Sequence, residues 1–145
     1  MSAGAPSAGA GRNGPKSPHD VREFYLRYVD LANARDFHRL VEFVHDEVTQ
    51  NGVPSTRDEM AASLRAHTQA IPDLVWEIQD LVIEGNRIAA RLRDTGTPQK
   101  EWLGLTPNGV TVTFDECAFY TLRDGRFDHT WYMMDADAVC RQLGG

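Results

Sequence analysis

The last third of the chain carries the side chains best suited to chemistry. Glu116 lies mid-run between the apolar neighbours of Val110–Leu122. A carboxylate in a dry setting has its charged form disfavoured, so its pKa should rise from ~4.3. That would poise Glu116 as a general acid or base near neutral pH; the plainer reading is a carboxylate bonded to a neighbour or simply exposed. Tyr132 can donate a hydrogen bond to a developing oxyanion, or stand as an amphipathic aromatic at a cavity mouth. His129 is a second acid–base candidate, against the ordinary outcome of an exposed strand histidine. Asp135 is a third, although with Ala136 and Asp137 after it the same residue reads as the N-cap of a closing helix. Tyr28, Trp102, Phe114, Trp131 and Met134 are bulky enough to wall a cavity, and a cavity so lined takes a flat, apolar ligand.

Other chemistries are not written here. His45 and His67 have no partner at metal-ligand spacing, and no His/Asp/Glu constellation points to a metal. There is no glycine-rich phosphate loop and no nucleophile elbow. No cofactor and no metal are therefore expected. The 145 residues carry a net charge of −6 with no basic cluster, which argues against nucleic acid as a partner. No apolar run approaches the ~20 residues of a membrane span. Cys117 and Cys140, the only cysteines, form no Cys-x-x-Cys pair, which excludes a zinc knuckle and argues against a disulfide framework. Residues 1–16 are rich in Gly, Ala, Pro and Ser and lack the apolar segment of a signal peptide. They are expected to be a disordered tail on one domain spanning 17–145, in a cytoplasmic protein.

The elements that must position these residues can be read in order. Ser17 as N-cap and Pro18 at the first helical position start a helix. Val21, Phe24, Tyr25, Tyr28, Leu31 and Ala32 recur at three- and four-residue spacing and carry it to about Ala34. Asp36 can cap a short helix over Phe37–Val44, and Asp46–Gly52 is a short strand or loop. Thr56-Arg-Asp-Glu59 has the form of a capping box for a third helix, Arg57 to about Gln69. Strands are then expected over Leu74–Glu84, Arg87–Thr95, Gln99–Leu105, Val110–Leu122 and Phe127–Met134, with a closing helix to Leu143. Helices, then an antiparallel meander, then a helix argue an α+β fold with the helices on one face of a curved sheet.

Hairpin parity at Arg123-Asp-Gly-Arg126 decides which side chains cooperate. A two-residue Asp124–Gly125 turn sets Glu116 opposite Met133, with His129 and Trp131 on its face. A three-residue turn with Gly125 at a bulge sets Glu116 opposite Tyr132, with Thr130 and Met134 on its face.

The element order and four local strings resemble the SnoaL-like polyketide cyclase family, which has the nuclear transport factor 2-like cone fold. The strings are Asn33-Ala-Arg-Asp36, Pro107-Asn-Gly-Val110, Asp124-Gly-Arg-Phe127 and Arg141-Gln-Leu-Gly144. The resemblance implies a cone-shaped, curved antiparallel sheet packed against three N-terminal helices, with a short C-terminal helix. It also implies a cofactor-independent cyclase or isomerase of secondary metabolism acting on an apolar, polycyclic or polyketide-like substrate or an epoxide, and a homodimer joined through the outer sheet face. Aligned on Gly125, the family's acid–base aspartate falls at Tyr132, and its Gln and His on the penultimate strand fall at Glu116 and Ala118. The polar position before the third helix falls at Gln50, with Asn51 beside it, implying contacts to polar substrate groups. The bulged-turn register agrees with these positions and is the favoured one. The carboxylate that remains is Glu116. A non-catalytic small-molecule binder of the same fold is the alternative.

Overall fold

A computed structural model describes residues 17–144; the tail expected over 1–16 lies outside them. Ser17 Oγ accepts from the Asp20 N–H at 3.1 Å and starts helix α1, Pro18–Ala34. Its buried stripe includes Phe24, Tyr25 and Tyr28. The string Asn33-Ala-Arg-Asp36 has a splicing role. The Asn33 amide exchanges two 2.9 Å hydrogen bonds with the Trp76 backbone. The Arg35 guanidinium donates to the carbonyls of Pro72 and Leu74 at 2.9 and 2.7 Å. Together they clamp the end of α1 to the start of a strand forty residues on.

The second helix is a 3-10 helix, Phe37–Glu42, rather than one running to Val44. Phe37, Leu40 and Phe43, three apart and all buried, suit three residues per turn. Val44 opens strand β1, Val44–Gln50. Asn51 and Gly52 both have positive φ (49° and 80°), the type I′ geometry that folds β1 back into β2, Val53–Thr56. β2 was not anticipated. The Thr56–Glu59 capping box is present and starts α2, Arg57–Ala70.

The strands β3 (Val75–Glu84), β4 (Arg87–Gly96), β5 (Val112–Arg123) and β6 (Arg126–Met134) form a meander, closed by α3, Ala136–Gly144. The sheet has six strands in the order β2-β1-β6-β5-β4-β3. It is mixed rather than wholly antiparallel, because β1 lies parallel to β6. One extra residue in β3, between Ile78 and Asp80, bends the sheet. Gly96 allows the turn before β3 to press onto β4: a Cβ there would meet Ile71 Cγ2 at 2.3 Å.

The strand expected at Gln99–Leu105 does not exist. That stretch belongs to a long connection between β4 and β5, in which Leu103 and Gly104 take positive φ and Trp102 bridges only to Leu105. Positive φ at two adjacent residues is incompatible with a strand. The connection is pinned by Gln99 N–H to the Ala70 carbonyl (2.7 Å) and by Thr97 against Thr111 (2.7 Å between hydroxyls).

The concave face of the sheet packs on α1, the 3-10 helix and α2 in one apolar cluster, while Ile71, Leu74, Trp102, Val112, Phe114, Val139 and Leu143 belong to a second. Among the described residues no helix is long and apolar enough to cross a membrane.

Candidate functional site

The hairpin corrects both expected registers: it has the two-residue turn of the first and the inner face of the second, but Glu116 pairs with neither Met133 nor Tyr132, and the bulge is not at Gly125. Its turn has two residues, Asp124 and Gly125, both at positive φ, with Arg123 paired to Arg126. An extra residue then enters β6: Leu122 pairs with Phe127 but Thr121 pairs with His129. This bulge at Asp128 shifts every later residue by one, so Glu116 faces Met134, and Ala118 faces Tyr132. Thr130, Tyr132 and Met134 therefore share the inner face with Glu116. His129, Trp131 and Met133 point outward and are exposed.

Between the two apolar clusters lies a cavity of about 400 Å³. Trp76, Leu74, Trp102, Phe114, Leu64, Met60 and Met134 form its apolar wall; Gln50, Asn51, Ser63, His67, Asp94, Glu116 and Tyr132 supply its polar points. Of the sequence candidates, Glu116, Tyr132, Gln50, Asn51, Trp102, Phe114 and Met134 reach it.

The others do not. His129 is on the outer face, its Nδ1 3.2 Å from Asp128 Oδ1, because alternation along β6 fixes it there. Trp131 stands on the same outer face, over Gly52, whose hypothetical Cβ would meet the indole at 3.3 Å. Asp135 caps α3: its Oδ1 accepts from the Ala138 N–H at 3.1 Å. Ala118 is sealed in the core under Tyr132. Tyr28 lies behind the main cavity, around a void of about 40 Å³ shared with Tyr25, Tyr120, Tyr132 and Glu116. Asn51 reaches the cavity wall, but its amide is engaged: it accepts from the Tyr132 N–H at 2.8 Å and donates to the Tyr132 carbonyl at 3.1 Å. It anchors β6 at Tyr132.

Two titratable cavity residues escaped the sequence reading. Asp94, on β4, is 1% exposed and Glu116, on β5, is 8% exposed. Leu92 pairs with Glu116 and Asp94 with Phe114, so the two carboxyls are diagonal neighbours on the inner face. Neither belongs to any ion pair among the described residues. Asp94 Oδ1 is buried with no hydrogen-bond partner as an ionised oxygen. Burial first, then a hydrogen bond to Glu116 and its charge, push the Asp94 carboxyl up to about 10. The signal was available: Ile88, Ala90, Leu92 and Asp94 fall on one parity of β4, so a carboxylate occupies a core position.

His67 is the second. The Trp102 indole N–H donates to His67 Nδ1 at 3.2 Å, which assigns the ring proton to Nε2. Burial pushes this imidazole down, against the charge of Glu116, so it is neutral at physiological pH. Tyr132 is held protonated: burial first, then the charge of Glu116, raise its phenol to about 12 while hydroxyl contacts from Thr130 and Tyr28 oppose the rise. The cavity thus offers neutral donors and one carboxyl pair within apolar walls, an arrangement suited to moving protons on a poorly charged substrate.

A family model described as SnoaL-like polyketide cyclase matches residues 22–143. A SnoaL-like polyketide cyclase from Agrobacterium tumefaciens is 36% identical over 85% of this chain and 97% of its own, with a TM-score of 0.81. TsrD from Streptomyces laurentii is 25% identical over 90% of this chain and 98% of its own, also at 0.81. IdmH from Streptomyces antibioticus shares the fold at 22% identity, covering 86% and 98% of the two chains with a TM-score of 0.76. No curated protein matches the sequence.

Proposed function

The chain belongs to the SnoaL-like polyketide cyclase family, and from that premise we propose that it is a cofactor-independent cyclase or isomerase working by general acid–base catalysis on a flat, apolar, polyketide-like or epoxide substrate. The observation that carries this reading is Glu116: a buried carboxylate, without a counter-ion among the described residues, on the wall of a cavity that also has broad apolar surfaces. A carboxylate so placed is available to take a proton from a substrate O–H or acidified C–H. Tyr132, kept protonated by burial, donates to oxygen that gains charge as the ring bond forms. Gln50, whose amide nitrogen is turned toward Ser55 Oγ at 3.0 Å, binds a polar substituent with its remaining capacity. Trp76, Trp102 and Phe114 hold the ring system by stacking and exclude water from the reacting atoms.

A second reading, a binder without turnover, is favoured by one feature. Tyr132 and Ala118 stand where the family resemblance sets an aspartate and a histidine.

Model substrates that close a ring by one proton transfer, such as o-hydroxyaryl enones and aryl β-polyketones, separate the two. With Glu116 as base, Glu116→Gln should lower their cyclisation rate about 10²–10⁴-fold. Their affinity should change little, since the amide still hydrogen bonds. Tight binding with a rate indifferent to Glu116→Gln would establish the binder instead.

A further inference from the structure

We infer that Asp94 and Glu116 share a single proton and act as a paired acid and base, so that the cavity accepts one substrate proton and returns another within the same ring closure. This rests on the acid–base reading of the cavity and adds to it a second catalytic group and a defined reaction class.

The geometry leads there. The two carboxyls lie diagonally across β4 and β5, face the same cavity and are almost wholly buried. Two carboxylates so close in low dielectric cannot both be ionised. A cation could relieve the repulsion, yet among the described residues no element packed around the pair provides one. α1 presents Tyr25 and Tyr28, neutral phenols held well above their ordinary range by burial. β5 itself presents Tyr120, likewise raised by burial. β6 presents Tyr132, also neutral. α2 presents His67, pushed down by burial and locked to Trp102. On the outer face, Arg91 and Arg93 are engaged by Asp80 and Asp115, and the charge of Asp115 reaches Asp94 only to raise it further. A proton is the remaining counter-charge. The deeper group keeps it: Asp94 is the more enclosed, and its Oδ1 has a partner only when one member of the pair is an acid.

The step balances without a co-reactant. The Glu116 carboxylate removes the proton of a substrate hydroxyl or enolisable C–H. The freed electron pair forms the ring bond at an electron-poor carbon. The displaced π pair, or the C–O pair of an epoxide, moves onto oxygen. That oxygen takes the proton of Asp94. Glu116 now holds a proton and Asp94 is the anion; transfer across their hydrogen bond restores the starting state. The net reaction is an intramolecular addition with no atoms gained or lost. This favours ring closure onto an enone, carbonyl or epoxide over any reaction that expels a charged leaving group.

Infrared difference spectra of the intact protein, recorded during a pH titration with and without ¹³C-labelled aspartate, test the shared proton directly. The expected result is one protonated carboxyl stretch, shifted by the aspartate label, that survives neutral pH and disappears only in the alkaline range. It should be absent in Asp94→Asn. In Glu116→Gln the band should remain but lose its proton at lower pH, because the neighbouring charge is gone. No such band at pH 7, or an unchanged midpoint in Glu116→Gln, would overturn the shared proton. Rates with an o-hydroxyaryl enone then separate the pair from the lone base. Asp94→Asn should slow ring closure about 10²–10⁴-fold. If Asp94→Asn is as fast as wild type while Glu116→Gln is slow, the pair is wrong and the single base stands. If Glu116→Gln is as fast as wild type, the acid–base reading of the cavity falls as a whole.

Discussion

Replacing the buried Asp94 carboxyl with an amide should make the protein more stable, and the gain should grow with pH. The Asp94 carboxyl is pushed from its ordinary 3.8 up to about 10 in the fold. For an acid raised in this way the folded state holds the proton more tightly than the unfolded state. Its contribution is therefore fully present below the unfolded pKa and is lost as pH rises toward the folded one. The slope is at most about 1.4 kcal/mol per pH unit. Between the unfolded carboxyl's titration and neutrality, roughly three units, the full cost is about 4 kcal/mol; relaxation around the pair brings the expected difference to roughly 2–4 kcal/mol. Asp94→Asn is isosteric and has no proton to retain, and its amide can donate to Glu116. Urea unfolding of both proteins at pH 4.5, 6, 7.5 and 9 reads the difference. The curves should nearly meet at pH 4.5 and diverge steadily in favour of the variant. Parallel curves across that range would mean that Asp94 ionises in the fold as it does in the unfolded chain, and the electrostatic account of the cavity would be wrong. A stabilising substitution that costs activity is what a functional site held under electrostatic strain should show.

Two further outcomes follow from where the structure sets the remaining candidates. Asp135→Ala should remove the α3 cap and lower stability by about 1 kcal/mol in chemical denaturation, while leaving enone cyclisation within twofold of wild type; a loss of rate beyond the loss of folded protein would return Asp135 to the chemistry. Val82, Phe119, Trp131 and Met133 expose apolar surface on the outer sheet face, with Phe119 paired to Trp131. If a second copy covers that face, as the sequence reading expects, Trp131→Glu should convert a dimer to a monomer in sedimentation without changing cavity binding. A wild-type monomer at micromolar concentration would end that expectation.

Much of the fold is legible from local signals along the chain. Ser17-Pro18, the Thr56–Glu59 capping box and the three- and four-residue apolar spacing set α1 and α2, because caps and helical stripes are local physics. Alternation set β4, β5 and β6, and the ordered strings carried the family. What local signals could not hold was the Gln99–Leu105 stretch, whose apolar residues serve as a strap with Trp102 turned onto His67 and Phe114. The β1–β2 hairpin had its Asn51–Gly52 signal in plain view, yet β1's parallel partner β6 is more than seventy-five residues further along the chain. The site divides the same way. Glu116 and Tyr132 could be named from type and position. Their shared face was settled by one extra residue at Asp128, since a single insertion reverses the parity of every side chain after it. Asp94 acquires its chemistry only from a neighbour on another strand and from burial that leaves it no counter-ion. Pairwise electrostatics between distant residues is a property of the assembled sheet, so tertiary structure alone could decide it.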